Sequence, residues 1–314
     1  MEQMPPLKIG TRGSPLALAQ AYETRDRLMA AHDLPETAFE IVVIKTTGDD
    51  AALIAADRAL KELGGKGLFT KEIEEALSAG RIDIAVHSMK DMPTAQPAGL
   101  VLDCYLPRED VRDAFVSLHH AGIADLPAGA VVGSSSLRRR AQLANRRPDL
   151  KLVEFRGNVQ TRLQKLQDGV AEATFLAMAG LNRLGRAGVA RGAIEPEEML
   201  PAVAQGAIGI ERRMADRRVA ALLEPIHHAD TAQRLAAERA FLATLDGSCE
   251  TPIAGLALLE GGEVWLRGEI LRPDGSEAIR GALRGPVADA VEIGAALARE
   301  LLAEAPGDFF AWKR

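Results

Sequence analysis

The sequence contains few of the residues that mark several common classes of protein. Its 314 residues include only two cysteines, Cys104 and Cys249, which stand far apart and in no Cys-x-x-Cys pair, so neither a disulfide framework nor a zinc site is expected. Aromatic residues make up only 4% of the chain and the net charge is -6, which disfavours a nucleic-acid-binding role. We therefore predict no metal and no nucleic-acid partner.

Long apolar runs are missing as well. No stretch approaches the roughly 20 apolar residues that a bilayer crossing needs, and residues 1–6 lack the basic start and apolar run of a secretory signal. Hydrophobic residues nevertheless make up 47% of the chain, which is enough for two or three compact cores. We expect a cytoplasmic protein of two or three domains with no membrane partner.

Arginine, by contrast, is abundant. It supplies 29 of the 38 basic residues, and its planar guanidinium is suited to paired hydrogen bonds with carboxylate or phosphate. The densest run is Ser134-Ser135-Ser136-Leu137-Arg138-Arg139-Arg140. We infer that the arginine-rich segments line a cleft that holds a small substrate with several carboxylates.

Strands and helices alternate over the first two thirds of the chain, as in α/β proteins with mainly parallel sheets and helices on both faces. The first unit is a strand at 7–10 and a helix to about His32, with Ser14 as N-cap and Pro15 at its first position. The last segment differs, because a helix at about 230–245 precedes three strand-like runs separated by turns and a final helix at about 287–305. This segment predicts a small α+β domain with a three-stranded antiparallel sheet.

Several arginines follow the predicted strands directly. Ligands of open α/β sheets collect at the carboxyl ends of the strands, so this placement favours binding over surface solvation. Solvated surface charge remains the preferred interpretation for three other arginines, Arg140, Arg146 and Arg147. The arginines at strand ends are Arg12, Arg138, Arg139 and Arg156, with Arg162 in the helix that follows Arg156.

Three further segments bear on chemistry. Lys90 and Asp91 follow an apolar strand, and an ionised carboxylate in a cationic cleft can stabilise a positive intermediate and relay protons. The glycine-rich segment 64–67 lacks the Ser or Thr of a nucleotide-binding loop, and we interpret it as a flexible lid that carries Lys66 and Phe69. Cys249 lies in a loop and could anchor a group, whereas Cys104 has the setting of a small core residue.

Taken together, these segments closely resemble the porphobilinogen deaminase family, also called the hydroxymethylbilane synthases. The ordered set is specific, although no single member would be. The segments are TRGSPLA at 11–17, GGKGLFTKE at 64–72, HSMKDMP at 87–93, RDAFVS at 112–117, VGSSSLRRR at 132–140, RGNVQTR at 156–162, LPAVAQGAIGIE at 200–211 and the loop around Cys249.

The resemblance implies a monomer of three domains. Two are related α/β domains around a cleft, similar to those of periplasmic binding proteins, at residues 1–106 plus 207–224 and at 112–200. The third is an α+β domain at 229–314, which carries the cysteine. Ser248 and Ala204 stand where the family usually has glycine, and either substitution could stiffen a loop.

The resemblance also implies a transferase of tetrapyrrole (haem and chlorophyll type) biosynthesis. Such an enzyme joins four porphobilinogen molecules stepwise, each with loss of ammonia, into linear hydroxymethylbilane. Asp91 matches the catalytic acid, and Cys249 matches the residue that holds a dipyrromethane cofactor through a thioether. The residues expected to bind cofactor and substrate are Arg12, Ser14, Lys66, Phe69, Lys90, Ser135, Ser136, Arg138, Arg139, Arg156, Arg162, Arg183 and Gln205.

One rival function comes from a different class. A non-enzymatic solute-binding protein would also have two α/β domains around an anion-binding cleft. It would be expected to carry an export signal and would have no need for Cys249, so we prefer the enzyme.

Overall fold

The computed structural model describes residues 5–46, 70–247 and 251–311. The chain divides into two compact units, Met1–Arg108 with Ala207–Ala232 and Glu109–Gly206 with Gln233–Arg314. Two separate sheets lie in the second unit, and the division of the whole chain into three domains stays a prediction. None of the helices in the described part of the chain has the length and apolar character to cross a bilayer.

The strands and helices of the described residues are numbered in chain order. The strands are β1 Leu7–Thr11, β2 Phe39–Val43, β3 Ile84–Ser88, β4 Leu100–Tyr105, β5 Asp113–Ser117, β6 Val131–Gly133, β7 Lys151–Val153, β8 Ala173–Ala177, β9 Gly192–Ile194, β10 Ile208–Arg213, β11 Ile253–Glu260, β12 Glu263–Leu271 and β13 Ala278–Pro286. The helices are α1 Pro15–His32, α2 Lys71–Ser78, α3 Leu137–Arg146, α4 Val159–Gln167, α5 Met178–Arg183, α6 Arg217–Leu223, α7 Ala229–Thr244 and α8 Ala290–Glu304.

The first unit is built on a five-stranded sheet of order β2-β1-β3-β10-β4. Helix α1 begins where the sequence predicts, because the Ser14 hydroxyl accepts a hydrogen bond from Ala17 N at 3.2 Å and Pro15 occupies the first turn. Apolar side chains cover both faces of the sheet, with Leu28 of α1 in one cluster and Leu77 of α2 in the other. The sheet is therefore a buried central layer.

The second unit repeats this topology in a sheet of order β7-β6-β8-β5-β9. It too has an apolar cluster on each face, one with Leu143 of α3 and the other with Leu166 of α4. In both sheets the fourth strand is antiparallel to its two neighbours. The α/β class predicted from the sequence is confirmed for both sheets.

The expectation of mainly parallel sheets needs a correction. Two of the four pairings in each sheet are antiparallel, because β10 lies between β3 and β4, and β5 lies between β8 and β9. Strand β10 returns to the first sheet after about a hundred residues that belong to the second unit. Local alternation of strands and helices carries no information about such a distant insertion.

The C-terminal sheet agrees with its prediction. Strands β11, β12 and β13 form an antiparallel sheet in that order, and α7 precedes them. Helix α8 covers one face, where Leu297 and Leu301 are fully buried. The close approach is fixed by Gly281 on β13, since a Cβ there would lie 2.9 Å from a Leu301 methyl group and 3.0 Å from one of Leu297.

Candidate functional site

In the first unit, three predicted site residues line one cavity of about 80 Å³. Arg12 and Ser14 come from the turn between β1 and α1, and Asp91 from a short 3-10 turn, Met89–Asp91, directly after β3. Both turns follow parallel neighbouring strands, so they open at the same edge of the sheet. Lys90 lies in the same 3-10 turn and is half-buried.

Polar side chains that the sequence did not single out complete this cavity. Gln20 of α1 donates a hydrogen bond to the Ser88 hydroxyl at 2.8 Å, and His87 Nε2 lies 3.2 Å from Glu211 Oε2. His87 and Glu211 are both buried, whereas Asp91 is exposed. The cavity thus combines a solvent-accessible carboxylate with buried groups able to accept or donate protons.

A third carboxyl group, that of Glu74, interacts with the buried Glu211. Burial raises the pKa of Glu74, and the negative charge of Glu211 raises it further. Glu74 lies on α2, and its neighbour Thr70 also lines the cavity. The first unit therefore holds several acidic groups near Asp91, each in a different environment.

In the second unit, Arg138 and Arg139 bind a buried carboxylate, Asp113 at the start of β5. Arg138 Nη2 donates to Asp113 Oδ2 at 2.8 Å, and Arg139 donates to Oδ1 from Nη2 at 2.7 Å and from Nε at 3.2 Å. The residues are 4%, 7% and 0% exposed, respectively. Burial alone raises the pKa of Asp113, but the two guanidinium charges outweigh it and hold that pKa well below its usual range.

Gln205 joins the same group. Its Nε2 donates to Asp113 Oδ1 at 2.9 Å and to Val111 O at 2.8 Å. The side chain is aimed by a tight turn, because Ala204 and Gly206 on either side have φ values of 60° and 89°. A Cβ at Gly206 would also lie 2.5 Å from Glu109 O, so only glycine fits there.

The Nη1 and Nε atoms of Arg138 differ in the number of hydrogen bonds that they donate. Its Nη1 donates to Gln142 Oε1 at 2.9 Å and to Leu200 O at 3.0 Å, whereas its buried Nε has no hydrogen-bond partner in the part of the chain that the structure describes. An unsatisfied buried donor is unfavourable unless another group completes it. Arg138 therefore retains one donor for a further acceptor.

Arg162 on α4 is a second incompletely compensated cation. Burial, followed by the positive charge of Arg139, lowers the pKa of Arg162 to about 10. Its Nε donates to Gly157 O at 2.9 Å, but no carboxylate in residues 5–46, 70–247 or 251–311 forms an ion pair with it. Asp113 is thus the single carboxylate bonded to this group of Arg138, Arg139 and Arg162 within those ranges.

Of the other predicted residues of this unit, Ser135, Ser136 and Arg156 follow β6 and β7, and Arg183 is the last residue of α5. The Ser135 hydroxyl accepts from Phe155 N at 3.0 Å, and Ser136 is the N-cap of α3. Arg183 Nη2 donates to Gly206 O at 3.2 Å, and Arg156 Nε lies 3.9 Å from Glu154 Oε2. Three predicted residues, Lys66, Phe69 and Cys249, lie outside the described residues.

The interpretation of Arg146 as a solvated surface charge is wrong, while Arg147 is partly exposed. Arg146 Nη2 lies 3.3 Å from Glu269 Oε1, a buried oxygen on β12, while Arg147 pairs with Asp149 at 2.7 Å and donates to two backbone carbonyls. Glu269 and the two carbonyls lie far away in the sequence, so a local charge pattern does not reveal them, whereas Asp149 lies two residues after Arg147. Arg140 is partly exposed and pairs with Glu154 at 2.8 Å, outside the Asp113 cluster.

Several functional candidates were missed from the sequence. Asp113 was quoted within the segment RDAFVS without a role, although a carboxylate at the start of an apolar strand is itself a signal. Glu269 gave a similar signal as the single acid beside Ile270 and Leu271 at the end of β12. Gln20 and His87 carried no distinguishing pattern.

Comparison with known families agrees with these segments. The model described as "Porphobilinogen deaminase, dipyromethane cofactor binding domain" matches residues 7–221, and "Porphobilinogen deaminase, C-terminal domain" matches residues 232–303. A curated porphobilinogen deaminase of Paracoccus denitrificans (strain Pd 1222) is 71% identical over 99% of this chain and 100% of the relative. A chloroplastic porphobilinogen deaminase of Oryza sativa subsp. japonica is 54% identical over 97% of this chain and 85% of the relative.

Solved structures align far less closely. The VFT2 domain of Bordetella pertussis BvgS, in a double mutant, is 17% identical with a TM-score of 0.42, over 75% of this chain and 92% of that one. A probable amino-acid ABC transporter extracellular-binding protein of Bacillus subtilis is 13% identical with a TM-score of 0.41, over 75% of this chain and 97% of that one. The family assignment rests on the family models and the curated relatives.

Proposed function

Because the chain belongs to the porphobilinogen deaminase family, a family of transferases in tetrapyrrole biosynthesis, we propose that it joins four porphobilinogen molecules into linear hydroxymethylbilane. At each step the aminomethyl C–N bond of one substrate breaks and ammonia leaves. A new C–C bond then forms to the free pyrrole carbon of the growing chain, and that carbon loses its proton. After the fourth unit, water releases the finished chain and supplies the hydroxyl group of the product.

The observation that carries this proposal is that Arg138, Arg139 and Arg162 share a single bonded carboxylate, Asp113, within the described ranges. Asp113 is shared by Arg138 and Arg139, the Nε of Arg138 lacks a partner within the described ranges, and the pKa of Arg162 is lowered by burial and by Arg139. A ligand rich in carboxylates supplies the missing negative charge through forked, charge-assisted hydrogen bonds. Acetate and propionate groups on each pyrrole ring meet this requirement.

The same residues fit a dipyrromethane cofactor, which presents carboxylates of the same kind. We propose that Cys249 holds it through a thioether and that Arg138, Arg139 and Arg162 hold its carboxylates. When bound, the cofactor supplies the pyrrole end to which the first substrate is joined. Cys104 is unsuited to that attachment, because burial raises the pKa of its thiol to about 12 and only 3% of the residue is exposed.

Asp91 is the proposed catalytic carboxylate. Its exposure and its position after β3, beside Arg12 and Ser14, leave it accessible to a pyrrole N–H. A carboxylate that accepts this hydrogen bond stabilises the positive charge that develops on the substrate as ammonia leaves. It can then relay the proton lost when the new bond forms.

The test is the stoichiometry of the reaction. Purified protein incubated with porphobilinogen should release one ammonia for each substrate consumed and accumulate a linear tetrapyrrole. Binding of porphobilinogen without release of ammonia would instead support a solute-binding protein.

We further propose a monomeric, cytoplasmic enzyme with no nucleic-acid or membrane partner. The family resemblance supports the monomer, and the net charge of -6 with 4% aromatic residues argues against nucleic-acid binding. Light scattering coupled to size exclusion should give a mass near the 33.5 kDa of one chain, and a doubled mass would contradict the proposal.

A further inference from the structure

The carboxylate-binding arginines are connected to the C-terminal sheet by one side chain. Gln142, on α3 and fully buried, accepts a hydrogen bond from Arg138 Nη1 at 2.9 Å through its Oε1. Its Nε2 donates to Glu269 Oε2 on β12 and to Leu200 O at 3.0 Å. A continuous path therefore runs from Asp113 through Arg138 and Gln142 to Glu269.

The orientation of the Gln142 amide depends on the charges at its two ends. Its oxygen can only face the donor groups of Arg138, and its NH₂ can only face the acceptor oxygens of Glu269. A neutral group in place of Glu269 would leave the amide held by Arg138 and Leu200 O alone. The negative charge of Glu269 thus helps to fix the position of Gln142 Oε1, which accepts the hydrogen bond from Arg138 Nη1.

Glu269 is also bound by two arginines. Arg280 Nε donates to its Oε1 at 2.6 Å, and Arg146 Nη2 lies 3.3 Å from the same oxygen. Only 1% of Glu269 is exposed, so its charge is poorly screened by solvent. Burial lowers the pKa of Arg138, and the negative charges of Asp113 and Glu269 oppose that effect.

The geometry points to Glu269 as a positioning residue, which acts through Gln142 to hold the Arg138 guanidinium in the orientation that leaves its Nε–H for a ligand carboxylate. With Nη1 held by Gln142 and Leu200 O, and Nη2 by Asp113, the rotation of the guanidinium is fixed. This role rests on the proposed function, in which Arg138 binds carboxylates of cofactor and substrate. It gives the C-terminal sheet a part in substrate binding that is separate from the attachment of the cofactor.

A purely structural brace is the alternative, and Glu197 provides a matched control for it. Glu197 also forms an ion pair with β12, through Arg267, but within the described residues neither side chain has a hydrogen bond or ion pair with Arg138 or Gln142. Glu197→Gln and Glu269→Gln are the same chemical change in two ion pairs to the same sheet. Because Glu197 is exposed and Glu269 is buried, the thermal melt of each variant is needed to separate a loss of stability from a loss of binding.

The experiment measures kcat and KM for porphobilinogen in cofactor-bearing protein, with the intact mass and a thermal melt of each variant. For Glu269→Gln we expect KM to rise about tenfold with kcat within about twofold, as for a weakened hydrogen bond to a charged group. Glu197→Gln should leave both constants unchanged. Gln142→Met, which cuts the connection but leaves Glu269 with both arginines, should reproduce the rise in KM.

The double variant Gln142→Glu with Glu269→Gln supplies a rescue. It places a carboxylate beside Arg138 and an amide behind it, so KM should return to within about threefold of wild type, as for directly coupled residues. If Glu269→Gln does not fold, Gln142→Met and the double variant decide the question. If Glu269→Gln and Gln142→Met fold and leave KM unchanged, the positioning role of Glu269 is contradicted but the proposed function is not. Wild-type protein that consumes no porphobilinogen would contradict the proposed function itself.

Discussion

Asp91 in the first unit is exposed and lines a small cavity, whereas Arg138 and Arg139 in the second unit are 4% and 7% exposed and share a fully buried carboxylate. The two settings suit different tasks. A group that takes part in chemistry must reach the reacting atoms, while groups that hold a flexible, highly charged chain benefit from fixed orientation and poor screening by solvent. We therefore assign the chemistry to the first unit and most of the carboxylate binding to the second.

Asp91→Asn is expected to have the largest effect and to fall on kcat. The amide keeps the shape of the side chain but loses the charge, so turnover should drop by about 10²- to 10⁴-fold. The melting temperature should stay near that of wild type because Asp91 is exposed. Turnover is measured by ammonia release; a near-normal rate would remove Asp91 from its role. Asp103→Asn, which changes another exposed carboxylate of the same unit, is the control.

Arg139→Leu, in contrast to Asp91→Asn, should weaken the binding of cofactor and substrate more than it lowers kcat. Removing one partner of a buried charge pair typically costs about 2–5 kcal/mol, which corresponds to roughly 30-fold or more in affinity. We expect the fraction of protein that carries cofactor to fall, or KM to rise by this factor. Arg140→Leu, the next residue of α3 and partly exposed, should change neither. Equal effects in the two variants would contradict the separation of these arginines.

Asp113→Asn tests the ion pairs of Asp113 with Arg138 and Arg139 through the pH dependence of the free energy of unfolding. Because the folded-state pKa of Asp113 lies below its unfolded value, its ionisation stabilises the fold above about pH 4, and this contribution is lost as pH falls toward the folded pKa. The variant should be destabilised by about 3–5 kcal/mol at pH 7. That difference should shrink by about 1.4 kcal/mol per pH unit below about 3.9. Urea unfolding at several pH values measures it, and a constant difference would contradict the pairing.

Ala204→Gly should have the smallest effect. Ala204 has a φ of 60°, a left-handed conformation that glycine adopts without strain, and it directly precedes Gln205. Relief of that strain is partly offset by the greater freedom of glycine in the unfolded chain, so we expect a gain of less than about 1 kcal/mol in the free energy of unfolding. A loss of more than 1 kcal/mol would show that the methyl group, which is buried, matters more than the strain.

The sequence was informative wherever the determining contacts are local. The Ser14-Pro15 signal gave the start of α1, and the alternating segments gave the class of both α/β sheets, because caps and periodicity act within a few residues. Local patterns could not predict the pairing of β10 with β3 and β4, which lie more than a hundred residues earlier, although the family resemblance assigned residues 207–224 to the first domain. Local patterns likewise identified Arg138 and Arg139 as candidates but not Asp113, which binds them from another strand, or Glu269, which is linked to Arg138 through Gln142.

The intact mass of the purified protein tests the central claim most directly, because a covalent cofactor distinguishes this enzyme from a solute-binding protein. We predict a mass above that of the sequence by two pyrrole units, retained in Asp91→Asn, reduced in occupancy in Arg139→Leu and lost in Cys249→Ser. A wild-type protein that is fully active with no added mass would contradict the account.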